Sequence, residues 1–169
     1  MKSQFEKYEK KLVGSGLAES GNALFGFLDA ELEWNRDTDE RPVLESLFEK
    51  LGINSLLFCK PAEPYAGIID YLADVSNGTV QPEDCETRTF LHDLPVASGF
   101  DTDHIASLLG RRKCAIIPRH GIVTYGTVSI EQAFVTYSSV CFSCFPVFSA
   151  RYFPRFHFAK TIRKKLDET

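Results

Sequence analysis

The segment that most constrains the fold is a run of apolar residues that begins just after Ser129. From position 130 to position 148 these residues recur every three or four places, which is the spacing of one face of an α-helix. Ser129 and Gln132 form the Ser-x-x-Gln pattern of an N-terminal capping box. The sequence therefore predicts a helix with one buried face, which Pro146 is expected to kink or end.

Strand patterns and further helical patterns alternate along the rest of the chain. Apolar spacing and capping residues predict helices at about 2–13, 42–50, 65–73, 101–109 and 156–167. Apolar runs and alternation predict strands or hairpins at 27–34, 53–59, 87–94, 113–117 and 122–125. Strands that alternate with helices favour a layered α/β fold, and no linker or internal repeat divides the 169 residues. We therefore expect a single domain over residues 1–169.

The distribution of charge argues against several classes of partner. The chain has a formal charge of −4, and its basic residues form only two short clusters, at 111–113 and 163–165. Nucleic-acid binding normally needs a concentrated basic face, so we expect none. The N-terminal residues lack the apolar region of a signal peptide, and no uninterrupted apolar run reaches about 18 residues. These observations predict a cytoplasmic protein without membrane contact.

The cysteines indicate a reducing environment. There are five of them, an odd number, which favours reduced thiols over a disulfide framework, and most are expected to pack as small apolar side chains. Cys141 and Cys144 have the Cys-x-x-Cys spacing of redox and metal sites, but they fall in the middle of the predicted helix on its apolar face. We therefore expect these two to be core residues.

Residues 111–139, RRKCAIIPRHGIVTYGTVSIEQAFVTYSS, combine several features in a fixed order. They contain a strand, a His-Gly turn, a second strand, Gly-Thr, and a helix that opens with an acidic residue before Ala-Phe. This segment resembles the C-terminal part of class II aldolase/adducin domains, and the resemblance extends from about residue 8 to residue 145. It implies a layered α/β fold in which helices flank a central, mainly antiparallel sheet.

The resemblance also implies a metal site. In metal-dependent members of this family the histidine of the turn is one of three that bind a divalent zinc ion, so His120 is the ligand candidate. The other two form a His-x-His pair after an earlier strand, and the matching stretch here, SLLFCKPAEPYAG, contains no histidine. Two registers place either Phe58 and Lys60, or Lys60 and Ala62, in the ligand positions. The zinc ligand set is therefore incomplete, and a turn histidine with a structural hydrogen bond is the alternative. A rebuilt metal site would draw on other donors: His92, His104, His120, His157 and Cys59.

Two residues are candidates for catalysis. Glu40 stands at the separation that the resemblance implies for the family's catalytic glutamate, and the simpler alternative is a surface glutamate that begins a helix after a polar loop. Lys60 lies in a former ligand position, where a desolvated lysine can form a Schiff base with a carbonyl compound or supply a fixed positive charge in place of the metal. The alternative is a lysine that only reaches solvent.

The segment GLAESGN resembles the family's phosphate-binding turn, which makes Gly21 and Asn22 candidates for binding a phosphate. Gly-Asn also occurs in ordinary tight turns. Only about 17 residues separate this turn from Glu40, so the part of the family that usually surrounds substrate is shortened.

Two hypotheses for function follow. The first is a lyase or epimerase that acts on a small, often phosphorylated sugar or hydroxy-carbonyl compound. The second is a non-catalytic ligand-binding or assembly domain on the same scaffold. The resemblance implies a homo-oligomer, and the aromatic residues of the segment 145–158 are a candidate contact surface.

Overall fold

The chain alternates between helices and strands from its first residues. A computed structural model gives the backbone of residues 1–167 and the side chains of residues 1–153. The helices are α1 (Lys2–Gly14), α2 (Arg41–Leu51), α3 (Tyr65–Val75), α4 (Cys85–Phe90), α5 (Thr102–Leu109) and α6 (Ile130–Asp167). The strands are β1 (Leu24–Leu28), β2 (Leu32–Trp34), β3 (Ser55–Cys59), β4 (Thr79–Val80), β5 (Leu94–Pro95), β6 (Cys114–Ile117) and β7 (Gly121–Gly126).

Five strands form the central sheet, in the order β2-β1-β3-β7-β6. Every neighbouring pair in it is antiparallel. The two short strands β4 and β5 pair separately, and the segment that follows β5 runs along β6, where the Ala97 amide donates to the Ile116 carbonyl oxygen at 2.7 Å. The sheet and its flanking helices confirm the predicted layered α/β fold with a mainly antiparallel sheet.

Both faces of the sheet are covered, because successive side chains of a strand point to opposite sides. Leu57 and Cys59 of β3 belong to one core cluster, which α1, α3 and α6 complete. Leu56 and Phe58 belong to the other, which α2 and α5 complete. The sheet is thus the middle of three layers, and the ends of its strands are the places where loops from both layers meet.

Local signals explain most of the helix boundaries. Pro42 lies in the first turn of α2, and Gly52 ends that helix in the left-handed conformation at φ 61°. The Asp101 carboxylate accepts a hydrogen bond from the His104 amide at 2.8 Å, which begins α5. Before α6, the Gln132 side chain accepts from the Val128 amide at 3.0 Å, one residue earlier than a capping box predicts.

The prediction of a strand at 87–94 is wrong. Residues 85–90 form α4, because the Asp84 side chain caps the helix by accepting from the Thr87 amide at 2.6 Å. The β-branched threonines favour a strand when they are taken alone. This local cap outweighs their preference.

The prediction that Pro146 could end its helix is also wrong, since α6 continues to Asp167 and includes the segment 156–167 that was expected to form a separate helix. Pro146 lies on the exposed side of α6. The proline removes the hydrogen bond to the carbonyl oxygen four residues earlier, and on this side water can replace it. The side chains of the basic cluster 163–165 lie outside the described residues.

Part of α6 is long and strongly apolar. By length and composition alone, the stretch Ile130–Phe153 is able to cross a membrane, and 44% of its most apolar window is buried inside the fold. Its buried residues, which include Tyr137 and Val140, belong to the core against the sheet. One side of this stretch therefore packs on the sheet, and the expectation of no membrane contact stays a prediction.

Candidate functional site

Three of the residues singled out in the sequence lie along one end of the sheet. Asn22 comes two residues before β1, whose first residue, Leu24, pairs with Phe58 near the end of β3, and the bridge between Ala18 and Pro61 brings the same loop to the residue after Lys60. The register between β3 and β7, continued by one residue, sets Lys60 opposite Gly121 and beside His120. Neighbouring strands lie about 4.8 Å apart. We call this row of Asn22, Lys60 and His120 the site edge.

Gly121 permits the close approach of the His-Gly turn to β3. Its φ is 147°, and a Cβ atom there would lie 2.6 Å from the Cys59 carbonyl oxygen and 3.0 Å from the Lys60 nitrogen. No other residue fits that space without moving the backbone. The glycine therefore sets the distance between His120 and Lys60.

His120 is exposed and is held from two directions. Its Nδ1 lies 3.0 Å from the Pro118 carbonyl oxygen. Its ring packs on Phe100, with centroids 5.7 Å apart, and Phe100 packs edge-on against Phe58 at 5.4 Å. A carbonyl oxygen only accepts, so in the neutral imidazole Nδ1 carries the proton and Nε2 has a free lone pair.

Glu40 lies six residues beyond the end of β2. It precedes α2, and its carbonyl oxygen accepts from the Leu44 amide at 3.2 Å. Within the described residues, neither a hydrogen bond nor an ion pair joins its carboxylate to Lys60 or His120. Lys60 is exposed, and it makes no ion pair with any residue whose side chain the structure describes. The catalytic roles of Glu40 and Lys60 stay predictions.

An ion pair between Glu9 of α1 and Arg36 contacts the Gly21–Asn22 turn. The Gly21 amide donates to Glu9 Oε1 at 3.1 Å, and the Arg36 guanidinium donates to the same oxygen at 2.5 Å. Arg36 also donates to the Gly21 carbonyl oxygen. Asn22 is exposed beside it. The Gly21 backbone amide, which was predicted to bind a phosphate, therefore already donates to a carboxylate of the chain. Its role in phosphate binding stays a prediction.

Asn35 fixes Arg36 in this position. Its side-chain oxygen accepts from the Phe25 amide at 2.8 Å, and its side-chain nitrogen donates to the Ala23 carbonyl oxygen at 2.9 Å. These bonds tie the residue after β2 to the beginning of β1. Sequence reasoning missed both Glu9 and Arg36, since nothing in their spacing indicates that α1 and the polar loop after β2 meet.

Behind the turn, Cys59 is an unreactive core thiol. Burial raises its pKa to about 12, the neighbouring Glu9 charge acts in the same direction, and a hydrogen bond with Tyr137 opposes it. The Tyr137 hydroxyl and the Ala62 amide both donate to the Leu17 carbonyl oxygen at 3.1 Å. These bonds hold the loop before the Gly21 turn against the end of β3. Cys59 therefore packs in the core beneath the site edge, where burial disfavours its thiolate.

The fold has counterparts among solved structures, although searches of the sequence against protein-family profiles and curated proteins give no match. The structure is similar to L-fuculose-1-phosphate aldolase from Thermus thermophilus, with a TM-score of 0.74 and 13% identity over 90% of this chain and 94% of that one. It is also similar to a sugar-phosphate aldolase from Thermotoga maritima, with a TM-score of 0.64 and 9% identity over 87% and 92%. The chain has the class II aldolase fold. The resemblance inferred from the sequence is confirmed at the level of the fold.

The class II aldolase fold raises the question of zinc, and the residues at the site edge do not fit it. Among the described residues, no group of three or more histidine, cysteine, aspartate or glutamate side chains is arranged to hold a metal ion. His157, one donor of the rebuilt set, lies outside the described side chains. Phe58 is buried, and Phe100 covers the face of His120 that is turned toward it. Two aromatic rings, Phe100 and Phe58, thus lie beside the one histidine of the site edge.

Proposed function

We propose that the chain binds a small phosphorylated sugar or hydroxy-carbonyl compound at the site edge and acts on it as a lyase or epimerase. The observation that carries the proposal is Lys60, an exposed amine without an ion pair in the described part of the chain, beside His120. Two solved structures with this fold are aldolases of sugar phosphates. A carbonyl substrate is therefore the class that this proposal favours.

Lys60 supplies chemistry that needs no metal ion. Once a base has taken a proton from the ammonium group, the neutral amine attacks the carbonyl carbon and a C–N bond forms. The carbonyl oxygen leaves as water after it takes one proton from the nitrogen and one from an acid. The resulting iminium accepts the electron pair of the neighbouring C–C bond in a lyase, or of the neighbouring C–H bond in an epimerase. A base must take the proton that is released. His120 Nε2, which has a free lone pair, and Glu40 are the candidates for this role.

Trapping the Schiff base tests this proposal. The protein is incubated with a ketose phosphate or an aldose phosphate, reduced with borohydride, and analysed by intact-mass spectrometry and peptide mapping. We expect one covalent adduct, on Lys60. Lys60→Met abolishes it, whereas Lys113→Met, which removes an exposed lysine at the opposite end of β6, does not. An adduct that survives Lys60→Met, or no adduct with any carbonyl compound, contradicts the proposal.

The role of His120 has a separate readout. His120→Ala leaves the lysine in place, so the adduct still forms, but turnover of a compound that reacts falls about 10²–10⁴-fold, which is the usual contribution of a positioned acid or base. Unchanged turnover would remove His120 from the mechanism.

The second candidate is a non-catalytic assembly domain, which the exposed aromatic side chains of α6 favour. Phe142 is 51% exposed and Phe145 is 49% exposed. Adjacent exposed aromatic residues often mark a contact surface. Residues 154–158 of the aromatic segment lie outside the described side chains. If no adduct forms and light scattering detects a stable oligomer that Phe142→Ser and Phe145→Ser dissociate, this second function is supported.

A further inference from the structure

A carboxylate of the chain itself occupies the donors of the Gly21 turn. Glu9 belongs to α1, and its Oε1 accepts from both the Gly21 amide and the Arg36 guanidinium. A guanidinium beside a backbone amide is a general arrangement for binding anions. The Glu9 carboxylate therefore lies where a ligand's anionic group would be held.

The geometry allows this occupant to be exchanged. The side chains of Arg36 and Glu9 are 28% and 23% exposed, so a dissolved anion can reach part of the ion pair. Arg36 Nε is buried and has no hydrogen-bond partner within the described residues. A buried donor without a partner is unfavourable. A phosphate group has more acceptor oxygens than a carboxylate and can satisfy this donor as well.

The Gly21 turn also connects this ion pair to the site edge. Gly21 has a φ of 90°, and a Cβ atom there would lie 3.3 Å from Arg36 Nη1, so the glycine keeps the turn close to the guanidinium. Asn22 follows directly, and the bridge between Ala18 and Pro61 brings this loop to the residue after Lys60. A phosphate in the place of Glu9 would therefore leave the rest of a small ligand near the end of β3, where Lys60 lies.

We propose that Glu9 is an internal competitor, which the phosphate of the ligand displaces from Arg36 and the Gly21 amide. Glu9 then lowers the apparent affinity for every anion by the same factor, so only an anion that is bound strongly, such as a doubly charged phosphate, displaces it. This inference rests on the proposed function for the identity of the ligand. Its test needs only inorganic phosphate.

Calorimetric titration of inorganic phosphate into Glu9→Gln tests the competition. We expect the variant to bind phosphate about tenfold more tightly than the unchanged protein. The reason is that the charged hydrogen bond between Glu9 and Arg36, which competes with phosphate, is lost. Arg36→Met abolishes this gain when it is combined with Glu9→Gln. Glu6→Gln, an exposed glutamate on the same helix, is the matched control and leaves the affinity unchanged.

Equal phosphate affinity in Glu9→Gln and the unchanged protein overturns the inference, as does a gain that survives Arg36→Met. If circular dichroism finds Glu9→Gln unfolded, the Gly21 amide resonance of the unchanged protein is followed instead, and no shift at saturating phosphate overturns the inference. Tight phosphate binding by Glu9→Gln without an adduct on Lys60 refutes the proposed function alone. An adduct on Lys60 without an effect of Glu9→Gln refutes this inference alone.

Discussion

Replacing Gly121 by alanine is expected to destabilise the fold more than its single added methyl group suggests. At φ 147° an alanine is strained, which typically costs about 1–3 kcal/mol. The new Cβ would also lie 2.6 Å from the Cys59 carbonyl oxygen, which the sheet holds in place. Overpacking of this kind costs about 1–3 kcal/mol. Together these effects lower the free energy of unfolding by about 3 kcal/mol or more.

Urea denaturation followed by circular dichroism measures this loss, and in a chain of this length it corresponds to a fall in Tm of about 6–12 °C. Gly99→Ala is the matched control, because a Cβ there meets no atom within 4 Å and the residue has no positive φ. We expect it to stay within about 0.5 kcal/mol of the unchanged protein. A loss of less than about 1 kcal/mol for Gly121→Ala would refute the close approach of the turn to β3.

Two further predictions concern ionisable groups away from the site edge. Burial acts to raise the pKa of the Asp93 carboxyl, but hydrogen bonds from Arg112 and Thr79 outweigh it and hold the pKa below its usual range. A carboxyl group whose pKa is lowered by folding stabilises the fold at pH values above its pKa in the unfolded chain, and this stabilisation is lost as the pH falls through its pKa in the folded protein. Asp93→Asn is therefore less stable than the unchanged protein at pH 7 in urea denaturation, and the difference narrows below about pH 4. Thiol titration of the native protein should label Cys85 alone, and Cys85→Ser should abolish that labelling, whereas all five thiols react in denaturant. Burial raises the pKa of the other four thiols, those of Cys59, Cys114, Cys141 and Cys144. Labelling of a second cysteine in the native protein would contradict this prediction.

Most of the fold was predictable because its signals are local. The helix α2 begins at a proline and ends at a glycine, and β3 is a short apolar run between turn residues, so periodicity and caps identify both. The helix α4 was missed because its threonines favour a strand, while one carboxylate, Asp84, decides the conformation. The prediction that the helix ends at Pro146 failed for a similar reason, because the free energy that a proline costs a helix depends on whether it lies on the exposed side.

The site edge was only partly predictable. The turn at His120 and the end of β3 at Lys60 were recognised from residue order, and antiparallel pairing then brings them together. The pair of Glu9 and Arg36 joins residues that are 27 positions apart, and the contact of His120 with Phe100 depends on how a loop packs. Such contacts arise from tertiary packing and leave no pattern in the sequence.

The two outer strands of the sheet bear on how the protein behaves at high concentration. On one side β2 has three residues, with Glu33 exposed in the middle, and on the other side the segment at Ala97 already uses part of the free edge of β6. Short, charged or covered edges offer few unpaired backbone groups to another sheet. We therefore expect this chain to resist the edge-to-edge aggregation to which open antiparallel sheets are prone.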